Sequence, residues 1–206
     1  MQDNFLEKIN DYYSTKIRLH GPVSEGVDWN GDSSHQLRFD QLSKVIQDDK
    51  SFSLLDYGCG YGALYDYLRK NYTQVDYHGY DISEDMLESA KQVFPHLESK
   101  FISSLDVKSS FDYVVSNGLF NVKLHTEESV WKNFISNSLS QFNDLSSKGF
   151  AFNILTSYSD IDKQKNNLHY ADPLYWFDFC KRNFSKNVAL LHDYDLYEFT
   201  IIVRKA

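Results

Sequence analysis

The sequence predicts an α/β fold, a doubly wound, seven-stranded and mostly parallel sheet preceded by an N-terminal helical cap. Three observations predict it. Strand-like and helical runs alternate from residue 52 to residue 155. Three glycines at alternate positions, Gly58, Gly60 and Gly62, follow the first strand-like run. The chain ends in two strand-like runs joined only by Asp193, Tyr194 and Asp195, the mark of an antiparallel hairpin.

Phe5, Leu6, Ile9, Tyr12 and Tyr13 recur at helical spacing and predict the first helix. Gly21 and Pro22 break it, and Gly26 and Gly31 keep the next stretch irregular. Asp32 or Ser33 can cap a second helix, with Leu37, Leu42, Val45 and Ile46 as its apolar face. Residues 52–57 are a short apolar run, as in a buried parallel strand. A helix over 63–72 and a strand over 75–80 follow. Ser83 caps a helix to about residue 94, with Glu84 and Asp85 in the first turn, where the dipole favours acids. Pro95 stops it. Residues 100–102 form a weak strand and 111–116 a stronger one. Val130, Phe134, Ile135, Leu139 and Phe142 stripe a helix over 127–145, and 149–155 is a strand. Pro173 opens a helix to about residue 181, and 188–192 and 196–203 are the hairpin strands. The polar stretch 157–167 is too short to separate domains. The expectation is one domain over 1–206: a helix and cap loop over 1–31, then a core over 32–206 with an insertion near 157–172.

Composition narrows the function classes. The 206 residues are 42% hydrophobic and 24% charged, enough for one well-buried core. A net charge of −8 counts against a duplex nucleic-acid binder, which carries a basic face. Two cysteines, Cys59 and Cys180, make no disulfide framework. No apolar run reaches the roughly 18 residues that span a bilayer. The polar, acidic start is neither a secretory nor a transit signal, so the expected compartment is the cytoplasm. Fifteen Tyr and fifteen Phe exclude a disordered chain and favour an aromatic pocket.

Chemistry concentrates in the run from Leu54 to Leu64, where a buried strand leads through three alternating glycines into a helix. Glycine allows a sharp turn and lets a ligand touch the main chain, while the helix start adds free N–H groups and a positive dipole end. About 20 residues on, Tyr80, Asp81 and Ile82 end the second strand, where an acid can accept two ribose hydroxyls. Gly58, Gly60 and Ala63 fit the dinucleotide pattern G-x-G-x-x-G/A, which points to an NAD-linked oxidoreductase. Such an enzyme also needs a substrate domain, for which the chain has little room. Asp56, Gly58, Gly60 and Gly62 fill the stronger pattern acid-x-Gly-x-Gly-x-Gly. In that pattern, and in Asp81 and the fourth-strand run 111–116, the chain resembles the class I S-adenosylmethionine-dependent methyltransferases over about 32–206. The resemblance implies a Rossmann-like sheet of order 3-2-1-4-5-7-6, with S-adenosylmethionine as cofactor and no metal. A glycine turn without a ligand, or a non-catalytic module of the same fold that binds a partner chain, are the competing readings.

The resemblance implies roles residue by residue. Asp56 faces the methionine amino group, and main chain at Gly58, Cys59, Gly60 and Gly62 lines the methionine moiety. Asp81 holds the ribose, Ile82 packs against the adenine, and Met86 is a further cofactor-binding residue. Ser104 and Leu105 occupy the region after the third strand that contacts the adenine edge. Asn117 and Gly118 lie near the sulfonium. Arg38 meets the cofactor carboxylate or, the favoured alternative, a surface ion pair.

The acceptor is expected to be a small molecule, oxygen in preference to nitrogen, bound by a monomer or homodimer with no nucleic-acid or membrane partner. Enzymes that methylate amino groups of DNA carry an Asn/Asp-Pro-Pro-Tyr/Phe block after the fourth strand. Here that block is Ser116-Asn117-Gly118-Leu119-Phe120, without proline. The acceptor pocket draws on Tyr12, Tyr13, Lys16, His20 and Trp29 in the cap, and on Asn121 and His125 after the fourth strand. Asn153, Tyr158, His169 and Tyr170 follow from the fifth strand onward, and His192, Asp193 and Tyr194 from the hairpin. Histidine is the natural base near neutral pH. His20 is the first choice for that role because its loop is flanked by glycine; His169 and His192 follow.

Overall fold

The structure is a computed structural model that describes residues 3–28, 31–47, 50–106 and 108–205. Trp29 lies outside the described residues. Seven strands form one sheet: β1 (Ser51–Tyr57), β2 (Gln74–Tyr80), β3 (Phe101–Ile102), β4 (Phe111–Ser116), β5 (Ser146–Leu155), β6 (Asn187–Leu191) and β7 (Glu198–Arg204). Their order is β3-β2-β1-β4-β5-β7-β6, as expected. All ladders are parallel except those of β7, which runs antiparallel to β5 and β6.

Among the described residues six α-helices accompany the sheet: α1 (Asp3–His20), α2 (Asp32–Ser43), α3 (Ala63–Asn71), α4 (Glu84–Val93), α5 (Glu128–Leu145) and α6 (Pro173–Asn183). Strand side chains alternate between the two faces. On β5, Phe150, Phe152 and Ile154 join Trp131, Ile135, Leu139 and Phe142 of α5 in one core. Ala151 points the other way, into a core with Phe39 and Leu42 of α2, Leu64 and Leu68 of α3, and Leu87 and Ala90 of α4. Burial on both faces explains why these strands read as continuous apolar runs.

Local signals account for most boundaries. Ser83 Oγ accepts the Met86 N–H at 3.3 Å and starts α4. Asp172 Oδ1 accepts the Leu174 N–H at 2.8 Å ahead of Pro173, which has no N–H to lose at the first helical position. Three expectations are corrected. The residue that caps α2 is Gly31, with no side-chain bond, in place of Asp32 or Ser33. Leu42, Val45 and Ile46 are buried as expected, the last two past the end of α2, but Leu37 is only half-buried and the buried face of the helix runs through His35, Arg38 and Phe39 to Leu42. Apolar periodicity misses this face because two of its members are polar. Val130 is exposed, and Trp131, 1% exposed, takes its place in the α5 stripe.

The first helix lies across the carboxyl ends of the central strands. Near its start, the Phe5 ring meets Trp131 and Phe134 of α5 edge-on, at 5.8 and 5.5 Å between centroids. Near its end, Ser14 and Ser83 share a 2.9 Å hydroxyl hydrogen bond, and Arg18 donates to both oxygens of Asp85 on α4 at 2.8 and 2.6 Å. Leu42 is fully buried under the sheet, and Leu42→Ala is expected to lower the urea unfolding free energy by about 2–5 kcal/mol. A loss no larger than that of a surface substitution contradicts this packing.

Candidate active site

The turn after β1 is held by the end of β2. The N–H groups of Gly58 and Cys59 both donate to the Tyr80 carbonyl, at 2.8 and 3.0 Å. The Gly60 N–H donates to Asp81 Oδ2 at 2.9 Å, and the Ser83 N–H donates to Asp81 Oδ1 at 2.9 Å. One carboxylate therefore joins the glycine turn to the cap of α4. Gly58, Gly60 and Gly62 all have positive φ, 81°, 54° and 83°, a region that a side chain disfavours. Space is tight as well. A Cβ on Gly60 would stand 3.0 Å from Val27 Cγ1, and a Cβ on Gly62 3.1 Å from the Phe101 ring.

This turn forms the floor of a cleft whose empty space, open mouth included, is about 1090 Å³. Asp56, Gly58, Cys59, Gly60, Asp81, Ile82 and Met86 line it from the sheet edge and α4. Asn117, Gly118 and Leu119 line it from the loop after β4, and Trp131 and Phe134 from α5. Leu6, Ile9 and Tyr13 of α1 form another wall, with Val27 from a 3₁₀ turn (Ser24–Val27) and His35 and Phe39 from α2.

Two acids set the electrostatics. Asp56 is 3% exposed and accepts the Tyr77 hydroxyl at 2.8 Å. Burial pushes its carboxyl up to about 7, against the pull of the Tyr77 hydroxyl and with the Asp81 charge adding to the rise. Asp81 is also pushed up by burial, and the N–H groups of Ser83, Gly60 and Ile82 hold it back. Burial raises the Cys59 thiol well above its ordinary value, so Cys59 is no thiolate nucleophile.

Nine of the twelve proposed cofactor residues line the cleft: Asp56, Gly58, Cys59, Gly60, Asp81, Ile82, Met86, Asn117 and Gly118. Gly62 instead faces Phe94 and Phe101 as the cap of α3. Ser104 is exposed, and Leu105 packs on the α5 side of the core; neither is among the lining residues. The connection from β3 to β4 is short, and residues of α1 stand along the cleft instead.

The three nominated histidines lie elsewhere. His20 is exposed at the end of α1. His192 is exposed at the hairpin, its ring 5.8 Å from Tyr158 and 6.2 Å from Phe199. His169 is 2% exposed, with Nδ1 3.1 Å from Glu128 Oε1, and burial lowers its pKa despite that carboxylate. The histidine on the cleft wall is His35, 6% exposed and tilted over Phe39 at 4.5 Å. It shares a helix face with Arg38, Phe39 and Leu42, a signal visible only once Arg38 is admitted to the buried face. Arg38 makes an ion pair, the favoured expectation, but in the interior and not at the surface. It forms a buried pair with Glu198, Nη2 to Oε1 at 2.5 Å.

The chain is similar to known proteins. A family model described as a methyltransferase domain matches residues 55–139. Rv1506c of Mycobacterium tuberculosis (strain ATCC 25618 / H37Rv), a methyltransferase by name, is 46% identical over 164 residues, 79% of this chain and 99% of that protein. The ribosomal RNA small subunit methyltransferase C of Photobacterium profundum is 31% identical over 137 residues, 62% of this chain and 40% of that protein. The solved structure of magnesium protoporphyrin IX methyltransferase (ChlM) from Synechocystis PCC 6803, with bound SAM, superposes with a TM-score of 0.68 at 16% identity, covering 98% of this chain and 97% of that one. Fold and site together define a class I methyltransferase. The chain belongs to the methyltransferase family, whose cofactor is S-adenosylmethionine.

The raised carboxyl of Asp56 has a consequence for stability. The folded chain keeps this proton up to about pH 7, whereas an unfolded aspartate loses it near its ordinary value of 3.8. The proton-linked stability is thus full at low pH and is lost as pH rises toward 7. Between pH 5 and pH 8 the wild type is expected to lose about 1–3 kcal/mol of unfolding free energy relative to Asp56→Asn. Parallel urea-unfolding curves against pH for the two proteins would contradict the assignment.

Proposed function

We propose that this protein transfers the methyl group of S-adenosylmethionine to a small-molecule acceptor, oxygen in preference to nitrogen, in the cleft beneath α1. The observation that carries the reading is the placement of Asp56 and Asp81 beside a glycine turn that leaves little room for side chains. That floor fits a nucleoside bearing an amino acid. Asp81 would hold the ribose hydroxyls, and Asp56 the methionine amino group. Gly58 and Gly60 would pass the methionine chain along bare backbone, with Ile82 and Met86 on the adenine side. When bound, the cofactor supplies an electrophilic methyl group on a good leaving group.

The chain's own share is alignment and exclusion of water. Leu6, Ile9, Leu119, Trp131 and Phe134 give the cleft apolar walls. An alcohol acceptor also needs its proton taken, and His35 is the imidazole on the cleft wall. Burial keeps Asp56 protonated until about pH 7, and an ammonium placed against it lowers that value and favours the carboxylate.

The ribosomal RNA relative favours a second reading, a nucleic-acid acceptor. The net charge of −8 and the apolar cleft walls support the small molecule instead. Among the described residues no helix is long and apolar enough to cross a membrane. We place the protein in the cytoplasm as a monomer or homodimer, one domain over 1–206.

Isothermal titration tests the reading. S-adenosylhomocysteine is expected to bind and NADH not to bind. Asp81→Ala is expected to weaken S-adenosylhomocysteine by about 1–3 kcal/mol, the loss of a charge-assisted hydrogen-bond partner. An unchanged dissociation constant in that variant, or binding of NADH alone, overturns the reading.

A further inference from the structure

Away from the glycine turn, three buried polar side chains, Arg38, Asn153 and Glu198, form one chain of bonds. Glu198, at the start of β7, is 1% exposed. Its carboxylate accepts Arg38 Nε at 2.9 Å on each oxygen, Arg38 Nη2 at 2.5 Å on Oε1, and Asn153 Nδ2 at 2.6 Å on Oε2. Asn153, 1% exposed on β5, also donates from Nδ2 to Asn117 Oδ1 at 3.0 Å. Its own Oδ1 accepts the Gly118 N–H at 2.7 Å. Arg38 belongs to α2, which brings His35 and Phe39 to the cleft. Asn117 and Gly118 belong to the loop after β4, another wall of the same cleft.

We propose that Glu198 is a positioning residue that sets the loop after β4 and helix α2 relative to one another across the cleft. The inference rests on the cleft being the cofactor site. Its logic lies in the donor and acceptor inventory. A carboxylate paired with Arg38 offers acceptors only. Asn153 must therefore turn its NH₂ toward Glu198, which leaves its carbonyl for the Gly118 N–H. With the amide reversed, Asn153 would present N–H to N–H at Gly118 and oxygen to oxygen at Glu198. The charge at 198 thus decides a hydrogen bond two links away, on the cleft wall. A buried ion pair that served stability alone could be replaced by a packed apolar pair with little loss. The link from Asn153 to Gly118 could not.

Glu198→Gln leaves one acceptor where Arg38 and Asn153 each need one. This variant is expected to weaken S-adenosylhomocysteine binding tenfold or more by titration. The Gly118 amide should exchange with solvent tenfold faster or more by NMR, while the core amides of β1 and β4 keep their protection. Arg38→Met/Glu198→Leu is expected to recover the melting temperature but neither the ligand affinity nor the Gly118 protection. Should that pair fail to fold, Asn153→Ala carries the test. Combined with Glu198→Gln, it should cost no more affinity than the larger single change, because both act through one chain. Wild-type affinity in Glu198→Gln or in the apolar pair overturns the proposal, as does an additive loss on combining Asn153→Ala with Glu198→Gln. Asp81→Ala separates the two levels. If it weakens binding while Glu198→Gln does not, the positioning role falls and the cleft reading stands; if Asp81→Ala is also silent, the cleft reading falls.

Discussion

The Asp81 carboxylate is the joint on which the site depends. One oxygen takes the Gly60 N–H and the other the Ser83 N–H, so the turn after β1 and the start of α4 are set by a single side chain. The Tyr80 carbonyl adds two further bonds to the same turn. Backbone N–H groups that would otherwise face the protein interior without partners are satisfied here by the neighbouring strand. The turn is therefore built before any ligand arrives, and the acid that fixes it is the acid assigned to the ribose. Such preorganisation lowers the ordering cost of binding.

Burial of two acids within one cleft has an electrostatic side. The Asp81 charge raises the cost of ionising Asp56, and each acid leans on hydrogen-bond donors to offset its burial. An acidic, water-poor floor favours a cationic ligand, because a positive charge relieves both carboxylates together. S-adenosylmethionine carries an ammonium and a sulfonium. The same floor disfavours the phosphates of a dinucleotide, the competing reading of the glycine pattern.

Local chemistry made much of this legible from sequence. Three glycines at alternate positions are rare without a backbone that needs them, and all three have positive φ. Ser83 announced its helix because a hydroxyl cap acts over three residues. The sheet order followed from a family resemblance carried by the same glycines and acids. What stayed hidden depends on distance along the chain. Arg38 and Glu198 are 160 residues apart, and no periodicity joins them. Once paired, Arg38 could sit on the buried face of α2, which brings His35 to the cleft. The glycine-flanked loop points instead to His20, which is exposed. Of the wall formed by α1, Tyr13 is legible as a pocket residue and lines the cleft, but nothing in Leu6 and Ile9 tells a core stripe from a ligand wall.

The central claim is that a sulfonium nucleoside lies on the turn at residues 58–60, beneath α1. A crystal structure with S-adenosylhomocysteine tests it most directly. The account predicts density along the glycine turn, with the ribose hydroxyls on Asp81 and the amino group on Asp56. Density elsewhere on the molecule at saturating ligand, with Asp81 still engaged only by its own N–H donors, would contradict it.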